Sequence, residues 1–142
     1  MRLDPEECRR RLAGAPVARL ASTGADGRPH LVPVTFALRD DVLIIGIDQK
    51  PKTTTNLRRL RNIAENPRVA LLADHYEPDW TRLWWVRADG TAVVEHDGSG
   101  REAAVAELVG RYPQYRRDPP RGPMIMITVD RWTGWAASAA PA

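Results

Sequence analysis

Turns, rather than long helices, divide this chain, and their spacing limits its architecture most. "GADG" (24–27) separates the strand-like "PVARLAST" (16–23) from "RPHLVPVTFALR" (28–39), and "DD" (40–41) leads into the β-branched run "VLIIGID" (42–48). "RVALLAD" (68–74), "WTRLWWVRADGTAVVEH" (80–96) and "MIMITVDRW" (124–132) complete the apolar runs, the middle one bent or bulged about Asp89–Gly90. The strands fall into hairpins instead of each being followed by a helix. That excludes a doubly wound parallel sheet and predicts a mainly β (α+β) chain: an antiparallel barrel of six strands with three short helices outside it. Pro29 and Pro33 have no N–H for a ladder, so part of the second strand is expected to face something other than a neighbouring strand.

The helices carry their own start signals. Asp4 reads as an N-cap, Pro5 as the first helical residue, Glu7 as the return half of a capping box, and Leu3 with Cys8 as a staple, with Gly14 ending the helix. A second helix begins near Thr53 or Asn56, with Leu57, Leu60, Ile63 and Ala64 on its apolar side and Arg58, Arg59 and Arg61 mostly opposite, and Asn66–Pro67 stops it. A third spans 99–112 with Ser99 as N-cap, and a Pro- and Arg-rich loop (113–123) follows. With 142 residues, 43% of them hydrophobic, the chain supports a single domain over 1–142, in which 136–142 is expected to be a flexible tail. A net charge of +3, with acidic and basic residues interspersed, predicts neither nucleic acid nor membrane as partner. The absence of a signal-like or membrane-spanning apolar run and the lone Cys8, read as a small buried residue, make a cytoplasmic location the expectation. His30, His75 and His96 have no ligand-spaced partners, so no metal is expected.

One stretch stands out chemically. Of 21 basic residues only Lys50 and Lys52 are lysines, and they flank a proline in "DQKPKTTTN" (48–56), between a buried strand and an amphipathic helix. Cationic side chains, the hydroxyls of Thr53, Thr54 and Thr55, and the N–H groups of a helix start are together the components of a phosphate site. The residues alone leave a second reading open, in which the lysines are solvated loop charges and the threonines simply cap the helix.

Taken in order, "DGRPHLVPVTF", "KPKTTTNL", "NPRVALLAD" and "LWWVRADGTAVV" resemble the pyridoxamine 5'-phosphate oxidase-like flavin and deazaflavin split barrels, within them the branch that uses coenzyme F420. The resemblance runs from about Pro5 to Trp135. It implies a six-stranded antiparallel split β-barrel with short flanking helices, and a homodimer with cofactor sites at the subunit interface. By the same resemblance Lys50, Lys52, Thr53 and Asn56 hold the cofactor's phosphate and Asp48 is a further cofactor-binding residue, while His30, Pro33, Val34 and Thr35 lie along its ring. Trp84 and Trp135 are carried over as further cofactor contacts. His30 reads equally as a packing residue, and the tryptophans as ordinary core or interface aromatics. Alternation sends Trp84 and Trp85 to opposite faces. Arg58, Arg59, Arg61, Arg116, Arg117 and Arg121 are either solvated charge or a groove for an oligoglutamate tail.

The expected activity is F420H2-dependent hydride transfer to a small electron-poor organic substrate. No nucleophile–base pair or carboxylate dyad stands out, which fits chemistry carried by a cofactor and leaves the catalytic residues unassigned. Two alternatives remain: an FMN-binding oxidoreductase of the same fold, and a non-catalytic F420-binding or carrier protein.

Overall fold

The computed structural model describes residues 1–47 and 57–138. Helix α1 (Pro5–Gly14) starts as its sequence specifies, the Glu7 N–H donating to Asp4 Oδ1 at 2.8 Å. The capping box is only half made, because the Glu7 carboxylate turns to Arg10 and Arg11 instead of the Asp4 N–H. Cys8, Arg11 and Leu12 form the buried face, and Leu3 packs against the same cluster as Cys8.

Seven strands follow among the described residues: β1 (Ala18–Thr23), β2 (Pro29–Val34), β3 (Ala37–Arg39), β4 (Val42–Gly46), β5 (Arg68–His75), β6 (Trp84–Glu95) and β7 (Met124–Ala136). All pair antiparallel in one sheet of order β2-β1-β5-β6-β7-β4-β3. The two edges, β2 and β3, are consecutive in the chain and separated only by Thr35 and Phe36. So short a link spans at most about 10 Å. A sheet whose opposite edges are tied so closely must curl on itself, and the result is a barrel split between β2 and β3.

That link also explains why there are seven strands where six were expected. The run 28–39 divides at Thr35–Phe36, where the backbone of Phe36 bonds to side chains in place of a neighbouring strand. Its N–H donates to the Tyr112 hydroxyl at 3.1 Å, and its carbonyl accepts from Arg111 Nη1 at 2.6 Å.

The expected bulge at Asp89–Gly90 is present as a register shift between β6 and β7 within one continuous twelve-residue β6. A Cβ on Gly90 would lie 2.4 Å from the Thr128 carbonyl oxygen, so the backbones approach more closely there than any other residue permits. Strand β7 runs past residue 132 to Ala136, which is buried, and the Ala137 N–H donates to Leu83 O at 2.9 Å. The segment expected to be a tail thus begins inside the sheet, and its residues 139–142 lie outside the described ones.

Two further helix expectations change. Helix α3 (Gly98–Arg111) begins at Gly98, whose φ of 89° suits glycine, so Asp97 occupies the N-cap position and Ser99 falls inside the first turn. The stretch 113–123, read as loop, contains a short α4 (Gln114–Arg117). Helix α2 (Arg58–Glu65) is described from Leu57 onward.

The barrel interior is filled by Leu20, Phe36, Leu43, Ile45, Leu71, Val86, Ile125 and Ile127, and a satellite cluster of Ala37, Ile44, Ala104, Leu108 and Met124 lies under α3. Helices α1 and α2 close opposite ends. α1 reaches Gly134 and Trp84 beside the start of β1, whereas α2 reaches Ser22 near the end of β1. No helix among the described residues is long and apolar enough to cross a membrane.

Candidate functional site

Strand β2 alternates between two surroundings. His30, Val32 and Val34 stand on the face shared with Leu20 and Ser22, while Leu31 and Pro33 point outward, Pro33 directly opposite Arg19 and Leu31 opposite Ala21. The residues expected along a cofactor ring are therefore not all on one surface. Val34 is buried in the core and Pro33 is exposed. The Thr35 hydroxyl is paired with the Tyr115 hydroxyl at 2.7 Å. Because β2 is an edge of the sheet, its backbone groups on the side away from β1 have no strand partner among the described residues.

His30 sits opposite Ser22, whose Oγ accepts from Asn62 Nδ2 of α2 at 3.2 Å. The Nδ1 atom of His30 is shielded from solvent and, among the described residues, has no hydrogen-bond partner. One helical turn before Asn62, Arg59 is half-buried rather than on the solvated helix face where its spacing placed it, and its Nε likewise has no partner among the described residues. Burial pushes the Arg59 guanidinium below its ordinary value. Native interiors seldom leave such polar nitrogens unpaired, so two of them at the α2 end, without partners among the described residues, suit a polar ligand. Arg59 lies three residues beyond the stretch 48–56. The expected phosphate ligands Lys50, Lys52, Thr53 and Asn56, and the further cofactor-binding residue Asp48, all lie outside the described residues.

The split itself is held by residues that spacing did not single out. Arg111 donates to the carbonyls of Phe36 and Ala15 and lies over the Phe36 ring at 4.6 Å. The Tyr112 hydroxyl accepts from the Phe36 N–H and has the Pro16 and Phe36 carbonyls each at 3.0 Å. Tyr115 packs edge-on against Tyr112 at 5.7 Å and reaches Thr35. The only sequence signal for this arrangement is the i, i+3 pair Tyr112 and Tyr115, the first at the end of the helix read over 99–112 and the second in the loop read after it.

Trp84 and Trp85 do face opposite ways. Trp84 is 8% exposed, with the Arg11 guanidinium 5.6 Å over its ring, while Trp85 lies outward beside Trp135. Leu31, Leu72 and Trp135 are exposed on this outer face, Leu31 at 66%. Trp84 and Trp135 are thus on opposite faces of the wall, so no single bound ring touches both on one surface. Trp84 borders a cleft of about 960 Å³ at the α1 end, lined in part by Arg10, Arg11, Arg19, Tyr76 and Arg82. Glu7 serves both Arg10 and Arg11, which hold its carboxyl well below the usual value of 4.5, at about 2.

Comparison with known proteins places these features in a family. A sequence profile described as pyridoxamine 5'-phosphate oxidase matches residues 4–136. A 5a,11a-dehydrotetracycline/5a,11a-dehydrooxytetracycline reductase of Streptomyces rimosus is 29% identical over 99 residues, 68% of each chain. Among solved structures, a FAD-binding protein from Mesorhizobium loti superposes with a TM-score of 0.74 at 21% identity, over 94% of this chain and 95% of that one. A heme-binding protein from Mycobacterium smegmatis reaches 0.76 at 21% identity, over 97% of this chain and 57% of the other. At these identities the two structures share the fold, and their different ligands show that the fold alone does not specify one.

Proposed function

Because the chain belongs to the pyridoxamine 5'-phosphate oxidase family, we propose that it is an oxidoreductase that binds coenzyme F420 and moves hydride between this deazaflavin and a small electron-poor organic substrate. The observation that carries the proposal is the pair of shielded nitrogens, His30 Nδ1 and Arg59 Nε, without a partner among the described residues, at the α2 end next in sequence to the stretch 48–56. When bound, the cofactor supplies a hydride at C5 of its central ring. The protein binds, orients and excludes water. Lys50 and Lys52 offset the phosphate charge, Thr53 and Asn56 donate to its oxygens, and Asp48 borders the same turn. His30 and Arg59 contribute polar contacts from the barrel side, and the edge of β2 between His30 and Thr35, without a strand partner among the described residues, offers backbone groups to the ring. Tyr115 keeps the Thr35 side chain in a single orientation beside that edge. The relative named as a reductase of a dehydrogenated tetracycline supports reduction of an unsaturated organic substrate.

The outward apolar face with Leu31, Leu72 and Trp135 supports a homodimer, in which Trp135 comes near the partner's side of the site. FMN is the second reading, favoured by the FAD-binding neighbour of the same fold. Absorbance and fluorescence titrations of the protein with F420 and, separately, FMN distinguish the two. Saturable F420 binding is expected; tight FMN binding with none of F420 overturns the proposal. F420 binding without turnover over a panel of enones and quinones would instead make the protein a carrier.

A further inference from the structure

The stretch 118–123, with prolines at 119, 120 and 123, runs as a strap from the end of α4 to the start of β7. Its prolines have no N–H for a ladder of their own, and one side chain clasps it instead. Arg101, near the start of α3, donates through Nε to the Gly122 carbonyl at 3.1 Å and through Nη2 to the Pro120 carbonyl at 3.0 Å. Only 12% of its side chain is exposed. The planar fork of a guanidinium is what lets one residue meet both carbonyls. The strap in turn closes on the last residues of β4. Pro120 is buried against Gly46, where a Cβ would lie 3.1 Å from Pro120 Cγ and 3.0 Å from Leu108 Cδ1 of α3, and the Ile47 N–H donates to the Pro123 carbonyl at 3.2 Å. Ile47 is fully buried, and the residue after it begins the lysine-bearing stretch 48–56. The far end of α3 carries Arg111 and leads into Tyr112, the two residues that hold Phe36 at the split. From Arg101 to Arg111, about 15 Å of helix thus separates a clasp on the exit of β4 from a clasp on the split.

We infer that Arg101 is a positioning residue: by holding the strap against Gly46 and Ile47 it fixes the direction in which the chain leaves β4 for 48–56, and with it the placement of the phosphate-binding side chains relative to the β2 edge. Its effect on the cofactor rests on the phosphate assignment proposed above; its hold on β4 does not. Hydrogen exchange of the cofactor-free protein tests the hold. In Arg101→Gln the Ile47 amide is expected to exchange roughly tenfold faster, while those of Leu43 and Ile45, opposite Ile127 and Ile125 in the ladder with β7, keep their native rates. Arg101→Lys keeps the charge without the fork and is expected to fall between the two. Glu102→Gln removes only the exposed carboxylate on Arg101 Nη1 and is expected to match the native chain. Titration with F420 and with its phosphate-free deazaflavin nucleoside separates positioning from general support. Arg101→Gln is expected to bind F420 roughly tenfold more weakly and the nucleoside equally well. An unchanged Ile47 rate, undiminished F420 affinity, an equal loss for both ligands, or a Glu102→Gln that behaves as Arg101→Gln overturns the inference. Where the native chain takes FMN in place of F420, FMN and riboflavin form the same pair. A native chain that binds neither cofactor overturns the phosphate reading, and the Ile47 exchange rate still decides the hold.

Discussion

The two ends of the barrel are closed by helices of opposite character. At one end α1 has a side-chain N-cap, a ten-residue length, and a buried face whose one charged member, Arg11, is met by Glu7 and by the Trp84 ring. At the other, α2 has eight residues, no side-chain cap and a buried Asn62, and beside it two shielded nitrogens lack partners among the described residues. An end whose polar groups are satisfied from within needs nothing more to be stable. An end whose polar groups have no partners among the described residues has capacity for a ligand, and "DQKPKTTTN" immediately precedes α2 in the sequence. The seam between β2 and β3 shows how the chain tolerates this arrangement: side chains of α3 and α4 and the tyrosine between them hold it where no strand ladder does.

Substitutions at the two ends and the seam should separate these roles. Leu12→Ala at the satisfied end removes a fully buried side chain and is expected to cost about 2–5 kcal/mol in denaturant unfolding, leaving cofactor affinity unchanged while the protein is folded. Tyr112→Phe at the seam leaves the Phe36 N–H without its acceptor and should cost about 1–3 kcal/mol, read in the same assay. His30→Leu at the other end is expected to leave stability unchanged or raise it by about 1 kcal/mol, since it deletes a shielded nitrogen that has no partner among the described residues, while weakening cofactor binding. A fall in stability like that of Leu12→Ala would erase the distinction between the ends.

The smallest effect is electrostatic and belongs to α1. Glu7 titrates at about 2 in the folded chain against an ordinary 4.5, so the stability it contributes is fully present above about pH 4.5 and disappears as pH falls toward 2. Protonation there weakens the Glu7 contacts to both Arg10 and Arg11. Melting temperatures measured across that window should fall more steeply for the native chain than for Glu7→Gln, by a margin kept small because the partner Arg10 is half exposed to solvent.

Local signals are readable in the sequence and distant ones are not. Asp4–Pro5 announces α1, and Asp89–Gly90 announces the bulge, because each needs only its own neighbours. The division of 28–39 into β2 and β3 is hidden, since the groups that replace the ladder at Phe36 come from Arg111 and Tyr112, some 75 residues later. Proline-rich composition conceals α4, and glycine's left-handed freedom at Gly98 displaces the cap from Ser99 to Asp97. Of the site, His30 stands out from its motif, but Arg59 falls to the solvated face by spacing because helical periodicity alone does not show which side meets β1. The arginine-rimmed cleft is invisible in the sequence since its members are scattered over 72 positions, from Arg10 to Arg82. Two lysines indicate a phosphate without specifying the ring that bears it.

The central claim is that the α2 end, with Lys50 and Lys52, holds the phosphate of a deazaflavin. F420 titration of the native chain and of Lys50→Ala/Lys52→Ala, paired with melting curves of both, tests it most directly. The account predicts an affinity lowered by about 1.5–3 kcal/mol for each charge-assisted hydrogen bond removed, with the melting temperature unchanged. Undiminished affinity in the double variant, with or without a lower melting temperature, would contradict it.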